Sequence, residues 1–588
     1  MNRHFALATN LALLFLGLVY IQFCRDGVVE YKHYIHGYSR DVLTQIGLYS
    51  MGALLVTFGK TNRWTLHLIF GVALAARLVG VFAPEFLSSD MYRYVWDGKV
   101  QGAGINPYRY IPADEHLQFL RDDQIYPNIN RKEYAHTIYP PGAQLIFLGV
   151  TRISETEACM KAAMVGFEVL ACWALLQILA LFGRPREEIL FYAWHPLCVW
   201  EIASSGHIDA AVVGLLSVAA LALIKGKTFR SACWIAVAAM VKMFPLVLLL
   251  AFGRRITAHM LLACAGIIAA GYALYASVGA GVLGFLGGFT HEEGLDTGDR
   301  YFFLAWAHRY LHVPFWPGLY IAVSALLLAG IAFWGMVRLR DPKQMLGLEL
   351  VISIVATLLF SPHYPWYFLW ILPFAVMLRY LPAIVLTLEA TYWFSTELAL
   401  PGEKLFRMNE YMYGIFFAAV AADLLVRWWK KARPMPELAY AGVQRLVFLN
   451  DDPIGLARSE SALLEKTSAQ EEETIQRAEA LARELGVIFN ASVATEPRTS
   501  VKQRRPDQPW SLCRRPWTLM YFTATGRALP CCIAPFSMHG YDSFTLGDAT
   551  QQSLREIWNG KRYVDFRASL MSSQPPRACE NCGLRWSL

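Results

Sequence analysis

Residues 64–98 read WTLHLIFGVALAARLVGVFAPEFLSSDMYRYVWDG. The apolar part, 65–83, has the length that crosses a bilayer, which takes about 20 residues. It leads almost directly into Ser88-Ser89-Asp90-Met91-Tyr92-Arg93-Tyr94-Val95-Trp96-Asp97-Gly98. Read as a helix, this stretch sets Asp90, Arg93, Tyr94 and Asp97 at i, i+3, i+4 and i+7, on one face. Ser89 stands where it can cap the start. Two carboxylates and an arginine beside a bilayer suit proton abstraction from a hydroxyl and contact with a phosphate. The same spacing also fits a solvated loop helix held by an Asp–Arg pair.

The rest of the chain follows from this span. Of 588 residues, 55% are hydrophobic and 17% charged, with a mean hydropathy of +0.34. Soluble proteins average about 25% charged residues, so one ordinary globular domain, a disordered chain and a small disulfide scaffold are excluded. The charge is uneven. It makes up 62 of the first 430 residues, about 14%, and 37 of the last 158, about 23%. A polytopic helical membrane domain therefore precedes a soluble tail. The net charge of +7 contains no basic run with interleaved aromatics, so no nucleic-acid partner is expected.

Apolar stretches predict about twelve crossings, near 5–23, 42–58, 65–83, 158–182, 187–204, 208–224, 257–277, 316–336, 346–361, 366–380, 383–399 and 412–428. The first has no small-residue cleavage site and reads as a span, not a signal. Basic groups at Lys60 and Arg63, Arg184 and Arg186, Lys225 to Arg230, Arg254 and Arg255, Arg338 to Lys343, and Arg427 to Arg433 share the cytoplasmic side if 231–252 enters and returns on one side. Pro245 suits such a broken pair of half-helices, and 142–155 must likewise be interfacial or re-entrant. Both termini are then cytoplasmic. Loops 84–141, 278–315 and 400–411 and turns at Ser205 and His363 lie outside, and the apolar spans face membrane lipids.

Further motifs fall on that outer side. Gly104-Ile105-Asn106-Pro107-Tyr108 and Ile138-Tyr139-Pro140-Pro141-Gly142 are rigid turns. Ser205-Gly206-His207-Ile208-Asp209-Ala210 puts a His and an Asp at a helix end. At membrane depth these line a cavity or satisfy each other. Lys242, inside Ala238-Ala239-Met240-Val241-Lys242-Met243-Phe244-Pro245, is a site candidate unless it snorkels to an interface. Ser361-Pro362-His363-Tyr364-Pro365-Trp366-Tyr367 reads as an interfacial aromatic belt with His363 as an added donor.

In their order and spacing, SSDMYRYVWDGKVQGAGINPY (88–108), IYPPGAQLIF (138–147), SGHIDA (205–210), VKMFP (241–245) and SPHYPWYFLW (361–370) resemble the landmarks of GT-C-fold integral-membrane glycosyltransferases. They are most similar to the bacterial family 87 mannosyltransferases that use polyprenyl-phosphate mannose. The resemblance covers about 1–430. It implies a bacterial inner-membrane hexosyltransferase with an extracytoplasmic site, a polyprenyl-phosphate sugar donor and a glycan or lipid-linked acceptor. The family's catalytic acid falls on Asp90, the general base on the acceptor hydroxyl in an inverting attack. Many members carry a further acid where this chain has Ser89; this departure removes a possible second carboxylate or metal ligand, so a metal-independent reaction is expected at this site. Lys242, Arg93, His207 and His363 are the candidates to meet the leaving phosphate. The site set is Asp90, Lys242 and Asp97 for catalysis, with Arg93, Tyr94, His207, Asp209, His363 and Tyr364 for substrate. A lipid-linked sugar transporter would also use intramembrane charges, but would not need a carboxylate-bearing loop helix.

The tail reads differently. Gln444 to Leu449 and Val487-Ile488-Phe489 read as strands around an amphipathic helix from Glu471 to Leu485, ended by Gly486. Of 11 cysteines, Cys24, Cys159, Cys172, Cys198, Cys233 and Cys264 lie singly among the spans, as small buried hydrophobes. Cys513, Cys531, Cys532, Cys579 and Cys582 crowd the end. In a cytoplasmic tail such clustering favours an iron–sulfur cluster or zinc over disulfides. Together with Gly526, Leu546-Gly547-Asp548 and Leu554-Arg555-Glu556-Ile557-Trp558-Asn559, they resemble the SPASM/twitch region of radical SAM enzymes. That resemblance covers about 505–588, with 443–504 resembling the end of the preceding barrel and 431–442 a linker. It implies a [4Fe–4S] cluster on Cys513, Cys531, Cys579 and Cys582, with Cys532 as a substitute. The chain contains no Cys-x3-Cys-x2-Cys, so no radical chemistry is expected from it. The tail is then a vestige, a docking module for a cytoplasmic partner, or a partial enzyme. The alternative for the whole chain is a membrane-anchored, radical SAM-related maturation protein.

Overall fold

The computed structural model describes residues 2–443 apart from 32–34, 85–86, 340, 396–401 and 433–439. Beyond these it describes Gln476, Ala480, 488–491 and most of 513–579. The chain divides into two units, Met1–Leu425 and Val426–Leu588.

The first unit is helical. α1 (Asn2–Tyr31) packs against α2 (Ile35–Phe58) and α3 (Arg63–Val81). α4 (Asp90–Gly102) packs on α5 (Pro141–Thr151), and α6 (Glu157–Leu181) on the helix Asp209–Ile224. That last helix is apolar and buried on nearly every side, which places it in the middle of the bundle. α3 is tied to α6 by a buried pair. Arg77 gives Nε and Nη2 to the two Glu168 oxygens at 3.1 and 2.6 Å, and Nη1 to the Ala193 carbonyl at 2.6 Å. Charges at such depth persist when paired and fully hydrogen-bonded.

Seven described helices are long and apolar enough to cross a membrane, and all seven coincide with expected crossings. The expected span 257–277 is the first arm of a pair bent by 111°, Ala258–Ala273 and Ala276–Glu292, which brings the number to eight if the pair is one span. The other four expected spans are shorter or broken. Asp209–Ile224 and Leu381–Ser395 are short helices. Residues 187–204 break at Pro196 and end in a π turn, Val199–Ser204. Residues 366–380 run as a 3-10 stretch, Pro365–Ile371, then Leu372–Leu378 around Pro373. Proline removes a backbone donor and clashes with the preceding turn, so an apolar run need not be one helix.

Thr228–Ala239 and Phe244–Arg255 form a broken pair with Lys242 in the gap. The loop expected at 400–411 is instead helical from Gly402, in Gly402–Ala432.

In the second unit, β1 (Tyr440–Val443) pairs in parallel with β2 (Ile488–Ala491). The strand expected at 444–449 lies outside the described residues, as does most of the helix 471–485. Farther on, β3 (Tyr521–Phe522), β4 (Arg527–Leu529) and β5 (Gly547–Asp548) form an antiparallel sheet. A small core of Ala528, Leu546, Ile557, Tyr563, Phe566 and Leu570 holds it to the helices Leu554–Asn559 and Lys561–Leu570. Ser553 and Glu556 close a reciprocal cap at the first of these.

Candidate active site

α4 starts at Asp90. Ser88 caps it, its Oγ accepting from the Asp90 N–H at 3.2 Å. Ser89 makes no side-chain cap; its Oγ accepts from Asn130 Nδ2 at 3.2 Å. The same Nδ2 donates to Asp90 Oδ1 at 2.8 Å. α4 is not a solvated loop helix, because Met91, Arg93, Tyr94, Val95, Trp96, Asp97, Gly98 and Val100 are all buried. Asp90 alone of its charged face stays half open, and it lines a cavity of about 830 Å³.

The rest of that face holds the fold. Arg93 reaches the cavity wall, but its Nε donates to Asp97 Oδ1 at 2.8 Å and its Nη1 to the Ala135 carbonyl at 3.1 Å. Asp97 Oδ2 accepts from Gln144 Nε2 at 2.9 Å, which also donates to Thr137 Oγ1 at 2.8 Å. Both Asp97 oxygens are thus committed, and Asp97 is not part of the cavity wall. Tyr94 is also behind the wall, its ring stacked on Phe147 at 4.6 Å and edge-on to Tyr139 at 4.9 Å.

The remaining motifs meet here. The Gly142 N–H donates to the Met240 carbonyl at 2.8 Å, which docks the Pro140-Pro141-Gly142 turn beside the gap that holds Lys242. Lys242 lines the same cavity as Asp90. Its Nζ donates to Asp209 Oδ2 at 2.6 Å and sits 4.7 Å from the Tyr367 ring centroid. Asp209 lies three residues after Gly206, whose φ of +63° is the left-handed backbone that favours glycine. His207 stacks on Trp366 at 3.9 Å, and Trp366 on Tyr364 at 4.5 Å. Trp366 and Tyr364 line the cavity; His207 and Asp209 stand behind it.

His363 is not in the wall. Its Nδ1 lies 3.8 Å from Glu293. Burial, with the Arg300 charge nearby, pushes its pKa down to about 2, so the ring is a neutral neighbour of that carboxylate.

The helices Pro317–Arg338 and Pro342–Phe360 give the wall a largely apolar lining, with Ile321, Ala325, Leu328, Ala356, Leu359 and Phe360 beside Ser324 and Thr357. Sequence reasoning missed Asn130, Arg131, His136 and Glu293, which also line the cavity. Asn130 and Arg131 lie in a polar loop without periodicity. Their only sequence signal is closeness to the motif at 138–142.

Asp90, Lys242 and their backing fall within one stretch of the chain. Residues 35–258 match the family of alpha-(1->6)-mannopyranosyltransferase N-terminal domains. This mannosyltransferase-like stretch runs from α2 to the half-helix after Lys242. It supports a membrane glycosyltransferase with a GT-C-like fold, in keeping with the bundle of apolar helices. The cavity wall continues past it to Trp370. Residues 513–583 match an iron–sulfur cluster-binding domain, SPASM. The chain is therefore similar to a fusion of the two. No curated protein and no solved structure matches it.

In the SPASM-like stretch, Cys513, Cys531 and Cys579 are half-buried cysteines. Burial pushes the Cys513 thiol pKa up, with Cys531 adding to the shift. Cys532 and Cys582 lie outside the described residues. Among the described residues no three His, Cys, Asp or Glu side chains gather as metal ligands. These cysteines fit a thiolate-bound cluster by donor chemistry alone.

Proposed function

We propose that residues 1–430 form a hexosyltransferase that moves mannose from a polyprenyl-phosphate donor to a glycan or lipid-linked acceptor, at the extracytoplasmic face of a bacterial inner membrane. The carrying observation is one cavity with Asp90 and Lys242 in its wall and a largely apolar lining from the helices Pro317–Arg338 and Pro342–Phe360. Its volume is in the range of about 300–1,000 Å³ usual for ligand sites. The polar part takes the sugar phosphate, and the apolar part takes the first isoprene units.

Asp90, with Oδ1 held by Asn130, takes the acceptor hydroxyl proton. The acceptor oxygen bonds to the anomeric carbon as the carbon–phosphate-oxygen bond breaks. The bonding pair leaves with the phosphate. Lys242, oriented by Asp209, meets that growing charge. Arg93 and Asp97 hold α4 against α5. Tyr364 and Trp366 supply an aromatic wall, with His207 backing it. His363 is a neutral neighbour.

The test is transfer of labelled sugar by full-length protein in liposomes, from decaprenyl-phosphate mannose or from a nucleotide mannose, to a mixed α-mannoside pool. The lipid donor alone supports transfer. Transfer from the nucleotide sugar alone, or movement of the lipid-linked sugar across the bilayer without transfer, overturns the reading.

For the tail, we propose that Cys513, Cys531, Cys579 and Cys582 hold one [4Fe–4S] cluster, with Cys532 as substitute. The SPASM match and the cysteine donor set support this. The cluster, when bound, supplies a redox-capable or structural centre to the tail. Anaerobically purified protein then carries about four iron and four sulfide per chain and cleaves S-adenosylmethionine only at background rate. Zinc in place of iron, or vigorous cleavage, overturns it.

A further inference from the structure

A short helix, Leu286–Glu292, covers part of the cavity, to which Phe285, Leu286, Phe289 and Glu293 contribute. Three contacts fasten it to the segment 131–137. Glu292 Oε2 accepts from Arg131 Nε at 2.6 Å, and Glu292 Oε1 accepts from the Tyr134 hydroxyl at 2.9 Å. The Phe285 N–H donates to the Thr137 carbonyl at 3.4 Å. Gly284, at φ +55°, sits so close to that carbonyl that no Cβ would fit.

Arg131 has φ +52°, a left-handed conformation that a non-glycine residue adopts only under strain. Such a residue persists where its surroundings over-determine it. Here the determinants lie on both sides. Asn130 is fixed to Asp90 and Ser89, and Arg131 is fixed to Glu292. Burial works against the Arg131 charge, and the Glu292 carboxylate more than offsets it, so its pKa is raised. The two side chains are 33% and 28% exposed. At that exposure an ion pair adds little to stability. Its consequence is geometric.

We propose that Arg131 and Glu292 are positioning residues for Asp90: their ion pair fixes the backbone at 130–131, and Asn130 transmits this to the Asp90 carboxylate. This rests on the reading of Asp90 as the base. The short helix is thereby linked to the reacting group. With Glu292 fastened, Asp90 points into the cavity; with it released, the carboxylate is free to turn away.

The test uses full-length protein in liposomes, with decaprenyl-phosphate mannose and the mixed α-mannoside pool. A misplaced catalytic group costs up to about 100-fold in rate. Glu292→Ala and Arg131→Ala each lower kcat about tenfold and leave the donor KM within about twofold. The reversed pair, Arg131→Glu with Glu292→Arg, recovers most of the loss. Tyr134→Phe costs about twofold. In an Asp90→Asn background, Glu292→Ala costs nothing further, because its effect passes through Asp90. If Glu292→Ala does not fold, Glu292→Gln is measured on the same scale. Unchanged kcat in the single variants overturns the proposal, as does a loss that multiplies in full on Asp90→Asn. Near-normal turnover by Asp90→Asn instead overturns the underlying reading of the base.

Discussion

Asp90 and Asp97 stand about two turns apart on α4, on the face that helical spacing gives them both. The fold separates them completely. Asp97 is sealed, with one oxygen on Arg93 and the other on Gln144. Asp90 has one oxygen on Asn130 and lies in a cavity wall. A carboxylate saturated by fixed donors is a strut, since protonating or moving it breaks several bonds at once. A carboxylate held by one oxygen is oriented and still able to accept a proton. Lys242 adds an intermediate case, paired with Asp209 yet reaching the cavity.

Four substitutions would break or sharpen that contrast. Asp90→Asn has the largest effect. Sugar transfer falls about 1,000-fold, within the range for a lost general base, while the thermal unfolding temperature in detergent stays unchanged. Equal turnover in that variant ends the contrast. Next is Lys242→Met, which lowers kcat about 100-fold, the scale of one lost electrostatic donor to a developing anion. An effect on donor KM alone would make Lys242 a ground-state contact.

Asp97→Asn acts on stability, lowering it by about 3–5 kcal/mol because Arg93 is left buried and uncompensated. The readout is denaturation in detergent, and what remains folded transfers sugar at near-normal kcat. Smallest is His363→Gln. The folded-state pKa of His363 is depressed to about 2, against about 6.5 unfolded. The unfolded chain therefore binds the proton first, and stability is lost as pH falls below about 6.5. His363→Gln flattens that decline between pH 6.5 and 5. An unchanged slope would show that the imidazole does not contribute.

The sequence motifs reached the site unevenly. Asp90 and Lys242 were legible because a carboxylate just past a span and a lysine inside an apolar run are costly placements. The separation of Asp90 from Asp97 was not, since the partners that decide it, Asn130 and Gln144, come from other segments. Arg131 and Glu292 are 161 residues apart, and no local pattern links them. His207 and Asp209 were expected to touch substrate, yet they stand one layer behind Trp366 and Lys242. Hydropathy likewise located apolar segments better than it counted helices, because it does not register where Pro196 or Pro373 interrupts the backbone ladder.

Local chemistry read along the chain was enough to determine an apolar helical bundle, a cysteine-rich tail and a short set of out-of-place charges. Which charge is buried as a strut and which faces a cavity depended on contacts between distant segments. Solvation and pairing of a carboxylate are properties of its three-dimensional surroundings, and residues seven apart on one helix can differ in both.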